Sequence, residues 1–531
     1  MELLYGTVGG SDPDRLWSLA NFGELITAPV TPLCWSVWHQ GLETGSRQAY
    51  ADFGVLRAAD VPAPADPNRL LGACFAGRIA LNIDLVRGLM NAIPGASGDG
   101  FERDIVGRVR PGLPPDKLDL GRLPALAVKA PVLFARAART TRAGHDEMAA
   151  WWRHSVLAGP PAPDLAGAVQ RFAEALDRVR RAARCQAGSR FVVMAVQTQL
   201  VALCETVGVP ANEVLAGIGD TPEARLADEL WLAGQGRRGP DELLASHGYY
   251  GVHIGNMTGR SWRQDPALLH ARIAAAALGH VRPADREAAT RAGRDAAVKR
   301  LREALPLVKR PLAARLAAAS ATQFRALEYG KAAVMMAVDG CRAAAAEVGE
   351  HLVAAGTLDD PDDVVFLRHD ELGATDRATA RVDTKVEVKE RVAERRAVWA
   401  EFAGVTLPTH FVGEPVAVSP VTTERVDRIT GAAGSAGVVE GRVRLVHDAS
   451  GDIEPGEVLV CPFTDPSWTP LMALAAAVVV DVGGPASHGA VVARELGIPC
   501  VIGTETAMHA LRDGDTVRVD GTNGVVEVRK P

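Results

Sequence analysis

The residues best placed to do chemistry form Ser487-His488-Gly489, which follows the pair Gly483-Gly484 and leads into Ala-Val-Val-Ala-Arg-Glu-Leu-Gly497. A strand ending near Val482, a tight glycine turn and a helix starting near Ser487 set His488 in the first helical turn, where small neighbours leave its ring uncovered. The partial positive charge of a helix N-terminus disfavours the imidazolium, so the ring stays neutral and nucleophilic. The same N–H groups favour a phosphoryl group carried on that ring. Arg494 lies six positions on, about 240° around the helix, and is expected to pack or to bridge units. The bland alternative is a capping histidine with no chemistry.

A second group of residues is Arg325, Glu328 and Lys331, spaced three apart on one face of a helix. Such a stripe is a solvated salt ladder or a site, and spacing alone leaves both open. A third is the loop Ser246-His-Gly-Tyr-Tyr-Gly-Val-His253 with Asn256 and Arg260 nearby. Either His247 or His253 could act as general base for a hydroxyl, or fix the loop by hydrogen bonds. No third ligand lies close in sequence, so no metal site is expected. Trp35, Trp38, Trp151, Trp152, Trp231 and Trp262 line a pocket or fill the core.

These residues need elements to hold them. Up to about residue 400 the pattern is helical, with apolar positions three and four apart over Leu165 to Ala187, Arg190 to Val207, Leu312 to Val348 and Lys385 to Phe402. Loop-rich windows interrupt it at Ala92 to Leu123 and Gly234 to Pro266. From Gly404 to Gly437 the composition turns to Pro, Thr, Val and Gly, as in an interdomain connector. Beyond it strands are expected at Val438 to Val446, Glu457 to Phe463, Val478 to Val482 and Cys500 to Ile502. Helices follow at Thr469 to Ala477 and Ser487 to Gly497, and a hairpin closes around Asp520 to Gly524. The expected architecture is multidomain: a large, mainly α-helical domain over 1–403, a hinge over 404–437 and a small β/α domain over 438–531.

The segment from Asp481 to Thr504, with Thr464-Asp-Pro-Ser-Trp-Thr-Pro-Leu471 before it, closely resembles the phosphohistidine swivelling domain of the phosphoenolpyruvate-utilising enzymes. In that family the histidine matching His488 is phosphorylated in one active site and swings to deliver the group in another. Within the family, residues 1–403 resemble the helical substrate-binding domain of the rifampicin phosphotransferases. The islands, in order, are Asn21-Phe-Gly-Glu24 with Pro29 to Ser36, Gly77 to Asn82 with Arg87 through Gly95, Ser246 to His253 with Ser261 to Pro266, Leu327-Glu-Tyr-Gly-Lys331, and Asp362 to Leu367 with Asp370-Glu-Leu372. The resemblance implies a catalytic Lys331 facing the transferring phosphoryl oxygens, with Glu328 orienting Lys331 or the acceptor hydroxyl. Arg325, His247 and His253 are expected to bind substrate, and of these His247 matches the family's loop histidine. Leu327 stands where the family has Arg, Gly248 where it has Arg after the loop histidine, and the family's acidic loop residue has no clear counterpart.

Composition bounds the rest. With 531 residues, 47% of them apolar and 23% charged, the chain can bury about three domain cores. Its 58 Lys and Arg against 64 Asp and Glu leave a formal charge of −6, which argues against a nucleic-acid partner. Seven scattered cysteines without Cys-x-x-Cys suggest a reducing compartment, and a start without a basic and apolar leader suggests the cytoplasm. The most apolar stretch, Leu471 to Val480, falls short of the ~20 residues of a bilayer span, so no membrane partner is expected. The resemblance to the substrate domain begins within two dozen residues, and no Gly-x-x-x-x-Gly-Lys-Ser/Thr loop is present. The leading expectation is therefore a phosphotransferase whose His488 receives a phosphoryl group from ATP, with Mg, through a separate ATP-grasp protein. It then passes the group to a hydroxyl or carboxylate of a small metabolite. The alternatives are a dehydratase or isomerase using His488 as acid/base, or following phosphorylation with elimination, and a non-catalytic binding relative.

Overall fold

Alanine, leucine and arginine hold helices at little entropic cost, and two very long ones organise the first four hundred residues. The computed structural model describes residues 2–5, 10–23, 26, 28–93, 95–111, 123–373, 384–418, 426–484 and 487–529. Its helices include α1 (Leu123–Trp151), α2 (Leu165–Val207), α3 (Pro222–Gly234), α4 (Pro240–His247), α5 (Pro283–Ala304), α6 (Arg310–Ala354), α7 (Lys385–Ala403), α8 (Thr469–Leu474) and α9 (His488–Leu496). The stretches expected as two helices at 165–187 and 190–207 are one, α2. Gly188 inside it costs only about 1 kcal/mol against alanine, and no proline forces a break. The loop window from Ala92 holds a helix, Gly98–Val106, stopped by Gly107 at φ 80°; residues 112–122 of that window lie outside the described residues.

Small residues let α6 approach its neighbours. A Cβ on Gly340 would lie 2.4 Å from the Trp151 ring, and one on Gly330 would lie 3.1 Å from Thr141 Cγ2. The core between α2 and α6 is apolar, joining Phe172, Leu176 and Val179 to Met335, Met336 and Val338. By length and composition α2 could also cross a membrane, contrary to the expectation that no stretch is long enough; half of its most apolar window is buried against other helices. Beside these helices, β1 (Leu16–Ser18), β2 (Gly72–Phe75) and β3 (Arg78–Asn82) form an antiparallel sheet. A small ribbon, β4 (Gly251–Val252) with β5 (Arg260–Ser261), closes the histidine loop.

The connector expected at 404–437 is shorter. Strand β6 (His410–Val412) pairs with β1 in the first sheet, whereas β7 (Arg428–Thr430) and β8 (Ala432–Ser435) belong to the second. Residues 413–427 therefore carry the chain across, and 419–425 lie outside the described residues. The second sheet continues with β9 (Val438–Leu445), β10 (Val458–Cys461), β11 (Ala477–Val480), β12 (Cys500–Ile502), β13 (Thr516–Asp520) and β14 (Val525–Val528). Its strand order is β7-β14-β13-β9-β10-β11-β12-β8, with β9 to β12 parallel. The parallel strands β10 and β11 are buried along their whole length, as strands covered on both faces must be. Leu459, Val478 and Val480 face α8 and α9, while Val458, Val460 and Val479 face the opposite core. His488 thus opens a helix just past the carboxyl end of a parallel strand, where open α/β sheets bind ligands.

Candidate active site

The turn before α9 is built for close approach. Gly483 takes φ 141°, and a Cβ on Gly484 would lie 2.8 Å from the Asp104 carbonyl oxygen of the helical unit. Ser487 caps α9 in extended conformation, and its hydroxyl is buried without a hydrogen-bond partner among the described residues. His488 Nδ1 lies 3.4 Å from the Thr464 hydroxyl. Gly489 makes that approach possible, since a Cβ there would lie 2.7 Å from Thr464 Oγ1. The ring is not uncovered as expected: His488 is 7% exposed, because the helical unit lies over it. Burial first, and the Lys331 charge second, lower its pKa to about 3. The imidazole is therefore neutral at physiological pH, beside a cation.

His488 and Lys331 line one cavity of about 270 Å³, formed between the two units. Its wall is largely apolar, with Trp38, Phe191 and Met335 among the lining side chains and Arg190 as a second cation. Lys331 Nζ lies 2.8 Å from Glu328 Oε1, and Glu328 is 1% exposed. A nearly dry carboxylate beneath an accessible ammonium orients that ammonium more than it neutralises it. Leu327, which replaces the resembling family's arginine, packs with Phe324, Val193 and Val491 of α9.

The remaining expected residues are placed elsewhere. Arg325 turns from the cavity and donates to the carbonyls of Gly219 (2.9 Å) and Ile218 (2.7 Å), bracing the loop ahead of α3. His247 bonds Glu229 Oε2 of α3 at 2.7 Å through Nε2 and lies tilted against Tyr250, while its Nδ1 is buried without a hydrogen-bond partner among the described residues. His253 takes φ 54° in the ribbon loop and faces Asp448 of the second unit; neither histidine lines the cavity. Arg494 donates to the Gly434 carbonyl within its own unit. Of the tryptophans, Trp38 reaches the cavity, whereas Trp152 and Trp262 are core. Among the described residues no three His, Cys, Asp or Glu side chains gather as a metal site.

Two carboxyls escaped the sequence reading. Glu223 lies in the first turn of α3, behind the Thr221 cap and Pro222, and lines the cavity although only 4% exposed. Burial and then the neighbouring Glu328 push its pKa up to about 8, with Lys331 opposing. In sequence, Thr-Pro-Glu reads as an ordinary helix start, and nothing in it says the carboxyl is dry. Asp465 follows Thr464 in the same wall and accepts from Ser467 N–H at 2.7 Å, and burial pushes its pKa up to about 7.

Residues 453–524 match the family described as PEP-utilising enzyme, mobile domain. That match falls within the C-terminal unit, which takes the name mobile domain from it. The chain is also similar to a rifampicin phosphotransferase of Streptomyces sp, at 35% identity over 335 residues, covering 60% of this chain and 38% of that protein. A rifampicin phosphotransferase of Bacillus cereus is 29% identical over 337 residues, again 60% of this chain and 38% of that protein. An uncharacterized protein of Mycobacterium tuberculosis, Rv2047c, is 38% identical over 227 residues, 42% of this chain and 25% of that one. The alignments thus span well under half the length of these relatives. A solved structure titled as Enzyme I aligns over 69% of this chain and 79% of its own at 15% identity, with a TM-score of 0.16, too low to compare folds. His488 lies in the mobile domain, and Lys331, Glu328 and Glu223 lie in the helical unit that covers it.

Proposed function

We propose that the chain is a phosphohistidine-dependent phosphotransferase, in which the mobile domain carries a phosphoryl group on His488 and delivers it to an acceptor held in the cavity. The observation that carries this reading is that His488 and Lys331 face one cavity, each from a different unit. Because Nδ1 is turned to the Thr464 hydroxyl, Nε2 is the carrier nitrogen in this reading. Lys331, the Ser487 hydroxyl and the N-terminus of α9 receive the phosphoryl oxygens, and Glu328 fixes Lys331. The bond from acceptor oxygen to phosphorus forms as the P–N bond breaks, with the electron pair returning to the imidazole and the hydroxyl proton passing to the Glu223 carboxylate. The apolar wall suits a hydroxyl-bearing acceptor of mainly hydrocarbon or aromatic character. The phosphoryl donor is ATP with Mg, used by a separate ATP-grasp protein.

The test is phosphate transfer from labelled ATP, with a candidate ATP-grasp partner, to hydroxyl acceptors. His488→Ala abolishes transfer. Lys331→Ala slows it by about 10²–10³-fold while His488 still takes up label, as expected when one charge-stabilising donor is removed. Full turnover by His488→Ala, or wild-type transfer by Lys331→Ala, contradicts the reading.

A further inference from the structure

One face of α9 carries His488, Val491 and Glu495 at spacings of three and four, so what holds Glu495 also orients the histidine. The Glu495 carboxylate is 5% exposed and reaches out of the mobile domain. It accepts from Ile218 N–H at 3.0 Å and from Gly219 N–H at 2.6 Å. Those N–H groups lie in a turn where Gly217 and Gly219 take φ of 58° and 65°, a conformation that glycine adopts at little cost. Arg325 holds the far side of the loop through both its carbonyls. Val491 packs on Ile218, Phe324 and Leu327 within the same patch, and the Thr290 hydroxyl donates to the Glu495 carbonyl at 3.1 Å.

We propose that Glu495 is a positioning residue: its seat on the Ile218 and Gly219 N–H groups registers the His488 helix on the helical unit and holds the docked state in which His488 is shielded. The residues Arg325 and Glu495 then act through one loop from its two sides. Burial raises the Glu495 carboxyl above the usual carboxylate range even with both donors in place. The seat therefore sets register more than it adds affinity, which suits a unit that has to leave again. This inference concerns docking and stands whether or not the cargo is a phosphoryl group.

The experiment reads the solvent reactivity of His488 in the full chain. Diethylpyrocarbonate modifies accessible neutral imidazoles, and peptide mass spectrometry follows the His488 peptide against exposed His509 in the same domain. In the wild type His488 reacts far more slowly than His509. Glu495→Ala leaves two buried N–H groups without an acceptor when docked, and so raises the His488 rate by about tenfold or more. Arg325→Ala does the same from the other unit, the double variant gains little over either single one, and Glu495→Gln, which keeps one acceptor oxygen, falls between. Circular dichroism checks that each variant is folded, and if Glu495→Ala is not, Arg325→Ala decides. Unchanged His488 reactivity in the folded variants, or additive effects of the two substitutions, overturns the proposal. Loss of phosphate transfer with the shielding pattern intact would count against the phosphotransfer reading and leave this one standing.

Discussion

Glu223 and His488 face the same cavity with their ionisation displaced in opposite senses. Burial depresses the base and raises the acid, so both are neutral near pH 7. In the proposed transfer the consequence for Glu223 is kinetic: only its ionised form accepts the acceptor's proton, and the ionised fraction grows as pH rises through about 8. An arriving phosphoryl dianion raises that carboxyl further. Single-turnover transfer from the phosphorylated chain should therefore climb with pH along a limb at or above about 8. Glu223→Gln should lose the limb and run about 10²–10⁴-fold slower. A flat profile in the wild type, or an unchanged limb in the variant, removes Glu223 from the chemistry. This residue was not legible in the sequence because burial, not type or spacing, gives it its properties. His488 was legible, since small neighbours and a glycine turn at a strand-to-helix junction are local signals. Its covering was not, because that depends on the other unit.

At the scale of elements, α6 is the strut that carries Glu328 and Lys331, and it is tied to the histidine loop through a buried carboxylate. Asp339, wholly buried, accepts from Trp152 Nε1 (2.9 Å), Arg263 Nε (3.1 Å) and Arg342 Nη1 (2.9 Å), and Arg342 in turn donates to the Ile254 carbonyl at 2.7 Å. Removing one member of such a network strands the charges that remain. Asp339→Ala should destabilise the chain by about 3–5 kcal/mol, read as a lower midpoint in urea unfolding, whereas a shift under 1 kcal/mol would show the network to be dispensable. The helices of this unit were legible from their 3.6-residue periodicity, and the strands of the mobile domain from their short apolar runs. The N-terminal sheet was not: β1 and β6 have three residues each and pair across nearly four hundred positions, which no local pattern reveals. The same limit hid the partners of Arg325 and His247. Helical spacing placed Arg325 on the face of Lys331, but the loop beside it claimed its guanidinium, and Glu229, 18 positions away, claimed the His247 ring.

Across the whole molecule, two units share one cavity, and 413–427 is the stretch that joins them. The mobile domain meets the helical unit through Arg272 on the carbonyls of Ser450 and Gly451, Arg286 on Ala473, and Glu495 on the loop before α3. Most of these hydrogen bonds are side chain to backbone, with Val491 seated in a small apolar patch beside them, and such a mixed interface separates more readily than a large hydrophobic one. The proposed function requires that property, since in it a histidine 7% exposed in the docked state must leave its cover to be charged. The most direct measurement is peptide mass spectrometry of the chain after incubation with ATP, Mg and an ATP-grasp partner. The result expected of the proposed function is acid-labile, alkali-stable phosphate on the peptide containing His488, absent in His488→Ala and discharged when an acceptor is added. Phosphate on another residue, or transfer to the acceptor with His488 never modified, would contradict it.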